Sequence, residues 1–125
     1  MGVVREIHLQ TTRREQAIDI TDRVRQVVAE LGGKDMLVCL YVPHSSAAVS
    51  IHKEIREGEE ATLQDLLQRV DGPAGDTSSA KAALVAPTEL LIVKDGQLVM
   101  DEDQRIYFYE FDGPRPRRVL VYASG

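Results

Sequence analysis

The last third of the chain constrains the fold most. LLIVKDGQLVM (residues 90–100) sets Asp95-Gly96 between two β-rich runs, and a two-residue Asp-Gly link is the strongest short-range signal for an antiparallel hairpin. Two further β-rich runs, RIYFYEF (105–111) and RRVLVYA (117–123), follow across an Asp-Gly-Pro turn. Strands joined this tightly pair antiparallel, because a parallel pair needs a crossover of a dozen or more residues. A sheet of consecutive hairpins is therefore expected here.

Upstream, strands mix with helices. VREIHLQ (4–10) alternates, with Ile7 and Leu9 on one face, and QAIDI (16–20) is a second short strand. Val24, Val27, Val28 and Leu31 recur at helical spacing before Gly32-Gly33, with Thr21 as the expected N-cap. MLVCLYV (36–42) is a continuous apolar run, expected to be a strand buried on both faces with Cys39 in the core. Leu63, Leu66, Leu67 and Val70 predict another helix, DGPAGD (71–76) a loop, and SSAKAALV a short helix stopped by Pro87. The order predicts one α+β domain, residues 1–125, with two to three helices packed against largely antiparallel sheet.

Composition excludes several functions. A net charge of −5 argues against a nucleic-acid binder, whose phosphate contacts need a basic field. No apolar run approaches the ~20 residues of a membrane span, and MGVVREIHLQ is unlike a signal peptide. The lone Cys39 makes no intrachain disulfide and fits a reducing compartment, so the expected location is cytoplasmic.

YVPHSSAAVSIHKE (41–54) carries the first candidate site. Read as one strand, it holds His44 and His52 about 26 Å apart, too far to share a zinc ion unless the chain folds back. His44 follows a proline that ends an apolar strand, where a ring emerges into a loop, and Ser45 and Ser46 offer hydroxyls beside it. A turn tied by serine hydroxyls is the bland alternative. The second candidate is EFDGPRPRR (110–118), where Glu110 and Asp112 lie near Arg115 and suit a subunit contact or a substrate site equally. Arg105 is expected to join PRPRR in one basic patch for a small anion.

Together DITDRV, PHSSAAVSI, AKAAL, DGQL, Gln104-Arg105-Ile106 and EFDGPRPRRVLV resemble, in order, the YjbQ-type family, often labelled secondary thiamine-phosphate synthase. The resemblance spans residues 16–122. It implies two mainly antiparallel sheets stacked as a sandwich, a homotrimer, and weak transfer chemistry on a small phosphorylated ligand. Carried over by position, His44 and Glu110 are the catalytic candidates. Ser45, Ser46, Gln104 and Arg115 are the ligand-binding ones, and Asp112 is structural or at an interface. Arg115 is expected to grip the Glu110 and Asp112 carboxylates rather than a phosphate. Of the family's three-histidine cluster the chain keeps His44 alone; His52 stands where the family has Asn. No metal or other cofactor is therefore expected, and the alternative is a non-catalytic binding or regulatory protein on the same scaffold.

Overall fold

The computed structural model of the chain describes residues 2–56, 67 and 77–125. The expected helix over 63–70, apart from Leu67, and the loop at 71–76 lie outside them. Strands β1 (Gly2–Gln10), β8 (Pro116–Ser124), β3 (Met36–Tyr41), β5 (Thr88–Lys94) and β6 (Gln97–Leu98) form one sheet in that order; β2 (Gln16–Asp19), β7 (Gln104–Glu110) and β4 (Ala47–Lys53) form another. Every pairing is antiparallel. The fold is α+β, as expected.

The main core lies between the sheets. Ile7, Val38, Leu40, Val93, Val119 and Val121 from the larger sheet meet Val49, Ile106 and Phe108 from the smaller. Helix α1 (Thr21–Leu31) adds Val24 and Val28 to it and packs against β1 and β7. Each such aliphatic side chain contributes about 1.5–3 kcal/mol through burial. A second apolar layer covers the other face of the smaller sheet, where Tyr107, Tyr109 and Phe111 pack with Leu67 and with Ala82 of helix α2 (Ser78–Val85).

Local signals explain the elements. Gly32 ends α1 at φ 69°, its N–H donating to Val28, in the left-handed region that glycine enters freely. Asp95 (φ 52°) and Gly96 (φ 78°) both have positive φ, as a type I′ hairpin requires.

Several expectations are corrected. The runs 105–111 and 117–123 do not form a hairpin: β7 pairs with β2 and β4 and β8 with β1 and β3, so the turn between them carries the chain from one sheet to the other. Thr21 is the first helical residue rather than the cap: its N–H donates to Asp19 Oδ1 (2.9 Å), and its hydroxyl accepts the N–H of Ile106 (2.8 Å), pinning α1 to β7. β3 is buried on one face only. Val38 and Leu40 point into the core, while Leu37 and Tyr41 are exposed and Cys39 is half-exposed, because no layer of described residues covers the outer face of the larger sheet. β7 is the strand buried on both faces, with each residue from Ile106 to Glu110 inaccessible.

Candidate functional site

Glu110 ends β7, in phase with Ile106 and Phe108, so its carboxylate enters the core layer between the sheets. Arg117, the second residue of β8, is in phase with Val119, Val121 and Ala123 and enters the same layer from the opposite sheet. The two meet in a bidentate pair. Arg117 Nε donates to Oε1 at 2.8 Å and Nη2 donates to Oε2, the fork geometry that lysine lacks. The remaining valences are filled as well. Arg117 Nη2 donates to Ser46 Oγ (2.7 Å), the Thr11 hydroxyl donates to Glu110 Oε1 (2.8 Å), and the Asp112 N–H donates to Oε2 (3.1 Å). Glu110 is fully inaccessible and Arg117 is 5% exposed.

Burial alone pushes the Glu110 carboxyl up, but the hydrogen bonds from Arg117, Thr11 and Asp112 outweigh it and hold the group below its usual range. An ionised carboxylate with every acceptor position engaged has no room to take a proton from a substrate. Glu110 is placed here as a structural anion.

His44 sits at the rim of this cluster. Its Nε2 accepts the backbone N–H of Arg118 at 3.1 Å. Desolvation, with the charges of Arg117 and Arg118, holds its pKa below the ordinary histidine value. The ring is therefore neutral at pH 7 with its proton on Nδ1, since Nε2 is occupied as an acceptor. Ser45 beside it is exposed, whereas the Ser46 hydroxyl is committed to Arg117.

Arg115 is half-exposed and donates through Nη2 to Asp112 Oδ2 at 2.7 Å. The expected grip on both carboxylates is thus divided: Arg115 takes Asp112, and Arg117 takes Glu110. The Arg115 backbone ties the loop down, its N–H donating to Thr11 Oγ1 (3.0 Å) and its carbonyl accepting the Thr11 N–H (3.2 Å). Arg105 does not join the 114–118 patch. It lies near the other end of β7, paired with Asp19 (2.7 Å) and Asp22 (3.6 Å).

Gln104 is at that other end too. Six residue steps along the strand, about 20 Å, separate it from Glu110, and its Oε1 accepts the Asp101 N–H (2.8 Å). The structure brings together His44, Ser45, Ser46, Glu110, Asp112 and Arg115, and leaves Gln104 apart. His52 is apart as well. A turn at Ser45–Ser46 separates His44 from β4, and His52 faces the outer layer, stacked on Tyr107 (4.6 Å between centroids) with Nε2 2.6 Å from the Tyr109 hydroxyl. Among the described residues, no three His, Cys, Asp or Glu side chains converge to hold a metal ion, and no helix is long and apolar enough to cross a membrane.

Sequence reasoning missed Arg117 and Thr11. Period-two phase on RRVLVYA could have found the first: an arginine in step with three buried residues needs a buried anion. Thr11 had no such signal, because its role arises from two loops meeting.

Comparisons agree with this architecture. A Clostridium acetobutylicum protein of known structure superposes with a TM-score of 0.83 at 33% identity, covering 95% of this chain and 97% of its own. A YbjQ-like protein of unknown function from Sulfolobus solfataricus superposes at 0.85 with 25% identity, covering 98% and 96%. A UPF0047 protein of Archaeoglobus fulgidus is 37% identical over 133 residues, covering 94% of this chain and 98% of that protein. The sequence model described as "UPF0047 protein YjbQ-like" matches residues 5–125. The chain belongs to the YjbQ-like UPF0047 family, whose function is uncharacterised.

Proposed function

We propose that the chain is a small-ligand protein that takes a phosphorylated molecule at the rim formed by His44, Ser45 and Arg115. The observation that carries this reading is the state of His44. A neutral imidazole with Nε2 fixed by the Arg118 N–H presents Nδ1–H as a donor, with the exposed Ser45 next in the chain and the half-exposed Arg115 three residues before Arg118. The buried Glu110–Arg117 pair beneath holds these groups in place. Any transfer chemistry, of which thiamine-phosphate synthesis is the kind implied by the family resemblance, runs through His44 and not through the saturated Glu110.

A non-catalytic binding or regulatory protein on the same scaffold is the second reading. The engagement of every Glu110 acceptor position favours it, because no second proton-transfer group among the described residues then stands beside His44. Gln104, at the far end of β7, takes no part in the rim; assembly as a homotrimer is the state the family resemblance implies. The apolar outer face of the larger sheet supports such assembly.

Titration with inorganic phosphate and pyrophosphate, alongside an assay of thiamine-phosphate formation, tests the reading. His44→Ala is expected to lower anion affinity tenfold or more and to remove any synthesis. Arg115→Lys is expected to weaken anion binding while changing the melting temperature little, since an exposed ion pair contributes about 0–1 kcal/mol. Equal anion binding by His44→Ala and the parent would remove His44 from the site. Anion binding without synthesis would select the non-catalytic reading.

A further inference from the structure

A cleft of about 350 Å³ opens beside β5, lined by Ile51, Glu89, Leu91, Ile92, Met100 and Gln104 among others, at the small end of the range for ligand sites. It exists because β6 pairs only with Val93 and Lys94. The bond from the Val99 N–H to the Ile92 carbonyl continues that edge, and the chain then turns away toward Asp101. The flank of Glu89–Leu91 stays uncovered, with Met100 and Gln104 as the opposite wall.

Glu89 is the odd carboxylate of the molecule. Among the described residues the other carboxylates that are not solvent-exposed each face a cation: Glu15 with Lys81, Glu110 with Arg117, Asp112 with Arg115. Glu89, half-buried and in phase with the buried Leu91 and Val93, makes no ion pair with a described residue. Desolvation holds its pKa above the usual carboxylate range, against a smaller lowering from the Ile51 backbone. A partly desolvated carboxylate with no cation among the described residues is an anion open to one. Across the cleft, Gln104 Oε1 is taken by the Asp101 N–H, so its amide N–H groups are left to meet an acceptor.

We infer that this cleft is a second ligand site, separate from the His44 rim, and that it takes a small organic cation. The ligand class is an amine whose ammonium pairs with Glu89, whose neighbouring oxygen or nitrogen accepts from Gln104, and whose apolar body lies on Ile51, Leu91 and Met100. The geometry gives Gln104 a role that its distance from Glu110 denies it within one His44 site.

Leucinol, which combines an ammonium, a hydroxyl and a branched apolar body, is a suitable probe; 4-methylpentanoate, of similar size and opposite charge, is its control. In amide NMR titrations of the assembled protein, leucinol is expected to shift Ile51, Leu91 and Gln104 saturably, and 4-methylpentanoate is not. Glu89→Gln is expected to weaken leucinol at least tenfold, and acidification to weaken it in the parent as Glu89 takes a proton. The same variant should melt at or above the parent at neutral pH, because an unpaired, partly buried charge has been removed. Equal binding of both probes, or full leucinol affinity in Glu89→Gln, would overturn the inference. So would a fall of several degrees in that variant's melting temperature, which would make Glu89 a clamp on the β4 edge. Phosphate binding at the His44 rim should be unchanged in Glu89→Gln, so the two sites succeed or fail separately.

Discussion

Arg117 and Glu110 come from different sheets, so their bidentate pair ties the two layers together at one end of the sandwich. Such a pair gains little over apolar residues of equal volume, but removing one partner strands a charge and costs about 3–5 kcal/mol. Arg117→Met is expected to lose that much in urea unfolding, and Arg117→Met with Glu110→Met together to lose less than the single change. The pH dependence should also change sign. In the parent, the Glu110 pKa lies below its unfolded value, so its contribution is present above the unfolded pKa of about 4.3 and is lost as pH falls through the folded value. Without Arg117, burial dominates and raises the folded pKa, and stability is then lost as pH rises. Urea midpoints measured from pH 3 to 7 distinguish the two slopes; parallel curves would refute the role given to Arg117.

The loop that carries Arg115, 111–115, touches loop 11–15 backbone to backbone. The Gly113 N–H donates to the Arg14 carbonyl at 3.0 Å. A β-carbon at Gly113 would lie 2.3 Å from the Arg13 carbonyl oxygen and 2.7 Å from Thr11 Oγ1. Neither atom is the free end of a flexible side chain, so the loops would have to separate. Gly113→Ala is expected to cost about 2 kcal/mol or more and, by displacing Arg115, to weaken phosphate binding. Gly96→Ala makes a useful contrast. Its φ of +78° strains alanine, but nothing lies within 4 Å of the added carbon, so the loss should be about 1 kcal/mol with anion binding intact. Thermal melts and phosphate titrations of both variants check the distinction.

The larger sheet leaves its outer face uncovered. Val4, Leu37, Tyr41, Leu90, Ile92 and Tyr122 are each more than 40% exposed there, and cross-strand pairs such as Leu37–Ile92 and Val4–Tyr122 place them side by side. Contiguous exposed apolar surface on a folded domain marks an interaction face. A homotrimer using this face is expected to sediment at about three times the 13.9 kDa chain mass. Leu37→Asp with Tyr122→Asp should release single chains. A parent that sediments as one chain, or a trimer untouched by both changes, would remove the face from the assembly.

Local chemistry was enough for the elements. Asp95-Gly96 reports the hairpin because few residues tolerate positive φ, and the Val24, Val28 and Leu31 spacing reports α1 because side chains recur every 3.6 residues. His44, Ser46 and Glu110 were also legible as a group, through the order of their motifs. What needed the tertiary structure was partnership. Phase tells that Glu110 and Arg117 point inward, but only the stacking of two sheets makes them each other's counter-ion and leaves Arg115 for Asp112. Apolar content alone could not tell that MLVCLYV has one dry face, because its exposed and core-facing residues are equally hydrophobic. Glu89 carried no signal at all. Its isolation is a property of the space around it, set by where β6 leaves β5, and a sequence holds no record of which cations the fold keeps away.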